Sequence, residues 1–146
     1  MTEGLLDANM LLRLLTNEPQ PLAERTAILL AAAEQQQIAL VVAPLILAEV
    51  VYVLQSVYKW PRTDIAQGML EMLAAPTLVV LEPEVIAQTL RWYGEFPRLD
   101  FADAYIAALA AYRGHGVVFS FDHDLRRLPG IRPIEDAAQL PSIRAQ

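Results

Sequence analysis

Short apolar segments that alternate with longer helical segments constrain the fold of this chain more than any other feature of its sequence. Five segments are short and apolar enough to form buried strands: residues 4–6, 38–42, 77–81, 116–121 and 131–134. Segments of helix-forming composition lie between them, at residues 10–15, 21–37, 44–58, 61–74, 83–94 and 100–113. This alternation predicts an α/β fold, a three-layer α/β/α sandwich around a mainly parallel sheet of four or five strands.

Length and composition predict one folded domain over residues 1–146. Hydrophobic residues make up 55% of the chain and charged residues 19%, which is typical of a packed core. Cysteine is absent, which excludes disulfides and thiolate zinc sites. The longest apolar stretch, residues 38–54, is interrupted by Pro44 and Glu49, so a strand and a buried helix are favoured over a membrane span. With no secretory leader at the N-terminus, we expect a soluble, cytoplasmic domain with no membrane partner.

The charge balance lowers the expectation of nucleic-acid binding without excluding it. The formal net charge is -6 and the sequence pI is about 4.8. Proteins that coat nucleic acid by bulk electrostatics are usually basic. A nuclease that holds metal ions on acidic residues remains possible, because a bound divalent cation reverses the sign of the charge that a phosphate meets.

Acidic residues follow two of the predicted strands. Asp7 ends the first strand segment, and Asp122 and Asp124 follow the fourth. Sites in parallel sheets form beyond the carboxyl ends of strands, so Asp7 and Asp122 would meet there if these two strands are neighbours. Ordinary structural roles are open to the same residues, since Asp7 could cap the next helix and the other two could start a turn.

Glu49 is the only charged residue in an otherwise apolar stretch, residues 44–54, of the predicted helix 44–58. An apolar pattern nearly all round implies burial on most faces of the helix. A buried carboxylate is costly unless it is paired, hydrogen-bonded or bound to a metal. The alternative is that Glu49 lies on one solvated stripe or bonds a distant arginine, and the helix alone supports both interpretations equally.

Asp100 and Asp103 are three residues apart at the start of an alanine-rich segment. This spacing places both on the same side of the first helical turn. Asp100 could simply cap the helix, and Asp103 could favour its positive end. The apolar remainder of the helix suits close packing, so its acidic start would face outward at the edge of the sheet.

Four separated segments that each supply an acid are harder to explain as caps than any one of them. With two histidines and no cysteine in the chain, carboxylates favour Mg²⁺ or Mn²⁺ over zinc. Such ions neutralise a phosphate, lower the pKa of an attacking water and stabilise the leaving oxygen. The pattern therefore favours metal-dependent hydrolysis of phosphodiester bonds.

The four acidic segments, in this order, resemble the motifs of the PIN-domain family and, within it, of the VapC-type toxins. They lie at residues 5–9, 47–50, 100–108 and 120–124, and the resemblance extends from Gly4 to about Ile134. It implies that the catalytic, metal-binding acids are Asp7, Glu49, Asp103 and Asp122. It also implies supporting roles for Asn9, Asp100, Ser120 and Asp124. Ala8 and Ser120 stand where this family commonly has threonine, and neither change removes a metal ligand.

The same resemblance implies an endoribonuclease that uses Mg²⁺ or Mn²⁺, forms a homodimer and is inhibited by a small antitoxin protein in its acidic groove. Arg98, Arg126 and Arg127 are candidates for binding the RNA backbone, because guanidinium groups suit phosphates. Aromatic residues such as Tyr52 and Trp92 could stack on bases, although core or interface positions are the more ordinary role.

Two other functions stay open at this stage. A PIN-like fold could be a non-catalytic binding module, although the four matching acids argue against a lost metal site. A structure-specific DNA nuclease of related fold would carry extra helices and basic surfaces, which this short acidic chain lacks.

Overall fold

The structure, a computed structural model that describes residues 2–144, alternates short strands with helices. The strands are β1 (Glu3–Leu5), β2 (Ala39–Val42), β3 (Leu78–Val80), β4 (Val117–Phe119) and β5 (Arg132–Ile134). The α-helices are α1 (Ala8–Thr16), α2 (Gln20–Gln35), α3 (Pro44–Ser56), α4 (Arg62–Leu73), α5 (Pro83–Glu95), α6 (Phe101–Tyr112) and α7 (Leu140–Arg144). Two 3-10 helices, His123–Arg127 and Ala137–Gln139, lie on either side of β5.

The chain packs as two units, Met1–Pro83 and Glu84–Gln146. In the first unit β1, β2 and β3 form a parallel sheet in that order, with Gly4 opposite Leu40 and Leu40 opposite Leu78. Parallel pairing brings the carboxyl ends of the three strands to one edge of the sheet. The segment that contains Asp7 and the start of α3 both leave the sheet from that edge.

The core of the first unit is built from single apolar faces of its helices. Helix α3 buries Leu47, Val50, Val51 and Leu54, a spacing that places all four side chains on one face. Each such side chain contributes about 1.5–3 kcal/mol when it is fully buried. The opposite face of α3 is exposed, including Leu45 at 80%.

The second unit contains the parallel pair of β4 and β5, with Phe119 opposite Ile134. Helix α6 buries alanines 104, 107 and 108 on one face, and small side chains allow close packing. Gly116 enters β4 at a φ of 64°, where a Cβ atom would lie 2.0 Å from the carbonyl oxygen of Gly130. A side chain at position 116 would collide with the backbone at Gly130, so glycine is required where these two segments approach each other.

The α/β class with parallel strands is confirmed, and every predicted strand and helix is found with bounds that shift by a few residues. The five strands pair as a three-stranded and a two-stranded sheet. Periodicity identified the strands, but their partners depend on contacts between distant segments. The sequence did not predict the two 3-10 helices or α7. Among the described helices, none combines the length and apolarity needed to cross a membrane.

Candidate active site

Asp7 caps helix α1, as the ordinary alternative proposed. One oxygen of its carboxylate accepts a hydrogen bond from the backbone N–H of Met10 at 3.1 Å. Its side chain is nevertheless exposed, as is that of Asn9 in the first turn of the helix. A capping carboxylate has a second oxygen, so this role is compatible with binding a metal ion.

Glu49 lies on the one solvent-exposed stripe of α3, as the second of the two interpretations proposed, and the other faces of the helix are buried or half-buried. The exposed stripe also includes Leu45 and Tyr52, which are 80% and 69% exposed. The composition alone did not reveal the exposed stripe, because the stripe itself carries apolar side chains. Since α3 begins two residues after β2, Glu49 belongs to the same sheet edge of the first unit as Asp7.

Asp100 occupies the N-cap position of α6, but its side chain makes no capping hydrogen bond. It is exposed, and Asp103 in the first turn is half-buried. The predicted side-chain cap is therefore absent. Both carboxylates lie at the start of the helix, and neither accepts a hydrogen bond from its backbone amides.

Asp122 begins the 3-10 helix after β4 and is held by two short hydrogen bonds. Its backbone N–H donates to the hydroxyl oxygen of Ser120 at 3.0 Å. Its carboxylate accepts from the backbone N–H of Asp124 at 2.9 Å. The predicted turn is confirmed, and the hydroxyl group of Ser120 fixes the backbone that carries Asp122.

Asp103, Asp122 and Asp100 interact electrostatically within the second unit. Burial first, and then the charges of Asp122 and Asp100, raise the pKa of Asp103 above its ordinary value of 3.8. None of these three acids belongs to the ion pairs observed among the described residues. Carboxylates that repel one another and belong to no ion pair are a group whose charge a divalent ion would offset.

The predicted RNA-binding arginines are exposed, and two of them share a small cavity. Arg98 and Arg127 line about 160 Å³ together with Asp124. The Nε atom of Arg127 is 3.8 Å from the carboxylate of Asp124. Arg126 lies 3.6 Å from Glu135 instead. Exposed pairs of this kind contribute little to stability, so these guanidinium groups can exchange their partners for a phosphate.

The donor chemistry suits a hard divalent cation, because every candidate ligand is a carboxylate. Over residues 2–144, however, no three Asp, Glu, His or Cys side chains are gathered closely enough to hold one metal ion. The acids of the second unit are near enough to raise the pKa of Asp103, but they are not close enough together to bind one metal ion as they stand. The meeting of Asp7 with Asp122 stays a prediction, since β1 pairs with β2 and β4 with β5.

Aromatic residues divide between core and surface. Trp92 and Tyr93 are buried, as expected of residues in apolar helices. Phe119 and Phe121 were assigned to a buried strand, but they are 71% and 83% exposed. The strand ends at Phe119, and this part of the prediction is wrong because an apolar run does not reveal which of its faces finds a partner.

The sequence model of the PIN domain matches residues 4–131, which includes all four proposed metal-binding acids. The chain belongs to the PIN domain family. PIN domains are generally nucleases and typically use divalent metal ions. No curated protein and no solved structure matches the chain.

Proposed function

We propose that this PIN domain is a Mg²⁺- or Mn²⁺-dependent endoribonuclease of the VapC type, the toxin of a type II toxin–antitoxin pair. The observation that carries the proposal is the retention of an acid at each of four ordered motif positions, Asp7, Glu49, Asp103 and Asp122. Support comes from the second unit, where Asp100, Asp103 and Asp122 interact and take part in none of the ion pairs found within residues 2–144.

In this proposal Asp7, Glu49, Asp103 and Asp122 would hold the metal ion. A bound Mg²⁺ would supply an activated water and would offset the charge of the phosphodiester. The chain itself orients the ligands. Ser120 and the backbone N–H of Asp124 fix Asp122, and the start of α6 carries Asp103.

An antitoxin partner is part of the same proposal. Beside Asp7, helices α1 and α2 border a groove of about 590 Å³. Its lining is mostly apolar, including Leu22 and Leu29, and it also contains Arg13 and Arg25. A groove of this composition suits an amphipathic segment with acidic residues. We further propose a homodimer, for which exposed apolar residues outside this groove, such as Val57, supply contact area. We also propose a cytoplasmic location, where RNA and antitoxin are available.

The deciding experiment is cleavage of total bacterial RNA by the purified protein, with Mg²⁺ or Mn²⁺ and with EDTA. The Asp103→Asn variant should lose cleavage, because an amide is a poorer ligand for Mg²⁺ than a carboxylate. The matched control is Asp64→Asn, since Asp64 is also an acid in the first turn of a helix, α4, and has no proposed role. The control should cleave like the wild type.

Each alternative gives a different result. Equal cleavage by wild type and Asp103→Asn would remove the proposed metal site. Cleavage of DNA but not of RNA would indicate a DNA nuclease. A folded wild-type protein that cleaves nothing with any metal would favour the non-catalytic binding module, an alternative that the lack of a gathered ligand set over residues 2–144 keeps open.

A further inference from the structure

Exposed aromatic residues lie close in the sequence to the proposed metal-binding acids. Across residues 2–144 four aromatic residues are exposed: Tyr52, Tyr112, Phe119 and Phe121, at 69%, 64%, 71% and 83%. Aromatic rings carry a large apolar surface and are usually buried. Tyr52 lies three residues after Glu49, and the two phenylalanines lie three residues and one residue before Asp122. Three of the four exposed rings are therefore neighbours, along the chain, of acids assigned to the metal.

Phe119 and Phe121 border a cavity of about 380 Å³ in the second unit. Ile134 and Leu140 add apolar lining, and Ser120 also faces it. The volume falls within the range of sites that take small molecules or a single ring system. The cavity is thus an open, largely apolar recess with two phenyl rings at its border.

The position of Phe121 relative to Asp122 is fixed by the backbone on either side of it. The backbone N–H of Ser120 donates to the carbonyl oxygen of Ile134 at 3.0 Å. The hydroxyl oxygen of Ser120 accepts from the backbone N–H of Asp122 at 3.0 Å. Phe121 lies at the tip of the turn that this second bond closes, so its backbone is fixed next to that of Asp122.

The charges around this recess are mixed, because its lining contains two acids, Glu135 and Asp136. Glu135 is part of its lining, but His123 contacts its carboxylate at 2.9 Å and Arg126 at 3.6 Å. The side chains of His123 and Arg126 are themselves 63% and 55% exposed. Arg126 follows Asp122 by four residues in the chain, and its exposed guanidinium group is of the kind that suits a phosphate.

We propose that Phe121, with Phe119 beside it, is a substrate-stacking residue that takes one unpaired nucleobase of RNA and so positions the adjoining phosphodiester bond at Asp122. This inference rests on the proposed ribonuclease function. Aromatic rings stack on any base, because every base has a π-face, and only bases outside a duplex can be turned out onto such a ring. Phe121 therefore selects unpaired RNA segments without selecting their sequence.

The first test compares cleavage kinetics of a short single-stranded RNA by wild type, Phe121→Ala, Phe121→Trp and Tyr112→Ala. Loss of a base stack should raise KM for Phe121→Ala by about 5- to 100-fold and leave kcat nearly unchanged. Phe121→Trp should restore KM, because indole also stacks. Tyr112 ends α6, nine residues from Asp103, so Tyr112→Ala should match the wild type. Melting temperatures should agree for all four proteins, since both side chains are exposed.

The second test identifies the stacked base. One position after another of the RNA is replaced by an abasic nucleotide, and kcat/KM is measured for wild type and Phe121→Ala. The wild type should lose about 5- to 100-fold at one position, and the variant should lose nothing further there. Equal losses in both proteins at every position would overturn the proposal.

The outcomes separate this inference from the function on which it rests. A wild-type protein that does not cleave RNA overturns both. A wild-type protein that cleaves, with a Phe121→Ala variant of unchanged KM, overturns the stacking role alone. Unchanged KM together with a loss of self-association or of antitoxin binding would assign the recess to an apolar side chain of a protein partner instead.

Discussion

The acids of the two units differ in their surroundings. In the first unit Asp7 and Glu49 are exposed, and Asp7 also serves the backbone of α1. In the second unit Asp103 is half-buried, and its pKa is raised by burial and by the charges of Asp122 and Asp100. The acids of the first unit are solvated and do not destabilise the fold. The acids of the second unit repel one another, and a bound cation would relieve that repulsion.

The two groups of acids should therefore contribute unequally to the binding energy of a metal ion. Exposed carboxylates are well solvated and gain little from a cation at a distance. Carboxylates that already repel one another lose that repulsion when a cation binds, so the second unit should dominate the affinity. Three measurements test this difference between the two units.

The largest effect should be the response of the melting temperature to Mg²⁺ or Mn²⁺. A metal ion that binds only the native state, at 100 times its Kd, adds about 2.7 kcal/mol to the free energy of unfolding. For a chain of this size that is a rise of about 5–10 °C. Asp103→Asn and Asp122→Asn should abolish the rise, and Glu49→Gln should reduce it by less. Equal losses in all three variants would show that the two regions do not differ, and a wild-type protein indifferent to both ions would remove the metal site.

A smaller effect on the free energy of unfolding should distinguish Asp7, at the N-cap of α1, from Asp100, at the N-cap of α6. Asp7→Ala should lower the free energy of unfolding by about 1 kcal/mol, because it removes the acceptor for the Met10 amide. Asp7→Asn should keep that stability, since asparagine also caps, while losing metal-dependent cleavage. Asp100→Ala should cost little, because the Asp100 side chain makes no capping hydrogen bond. Urea denaturation in EDTA measures all three, and a destabilisation of Asp100→Ala equal to that of Asp7→Ala would contradict the assignment.

The smallest effect is the pH dependence of stability without metal. The folded protein holds the Asp103 proton more tightly than the unfolded chain, because the folded pKa is raised above 3.8. The resulting stabilisation is complete below 3.8 and is lost as pH rises through the raised pKa. Asp103→Asn does not titrate, so its melting temperature in EDTA should exceed that of the wild type at pH 7. The difference in melting temperature between the variant and the wild type should narrow toward pH 4. A difference that widens on acidification would show that the folded protein lowers the pKa of Asp103 rather than raising it.

Much of the candidate site could be predicted from residues close together in the sequence. The cap formed by Asp7 and the turn that begins at Asp122 both depend on groups within three residues of each other. The two acids at the start of α6 follow from their spacing alone. The exposure of Glu49 could not be derived, because the buried face of α3 is chosen by the helices and strands that pack on it.

Periodicity, capping and residue type over short stretches are sufficient to predict the α/β class, the order of strands and helices, and the family motifs that carry the acids. The pairing of the strands into two sheets, the burial of Asp103 among other carboxylates, and the exposure of Phe119 and Phe121 became known from the tertiary structure alone. The physical reason is that pairing, desolvation and charge interaction depend on distances between segments far apart in the chain, and packing alone sets those distances.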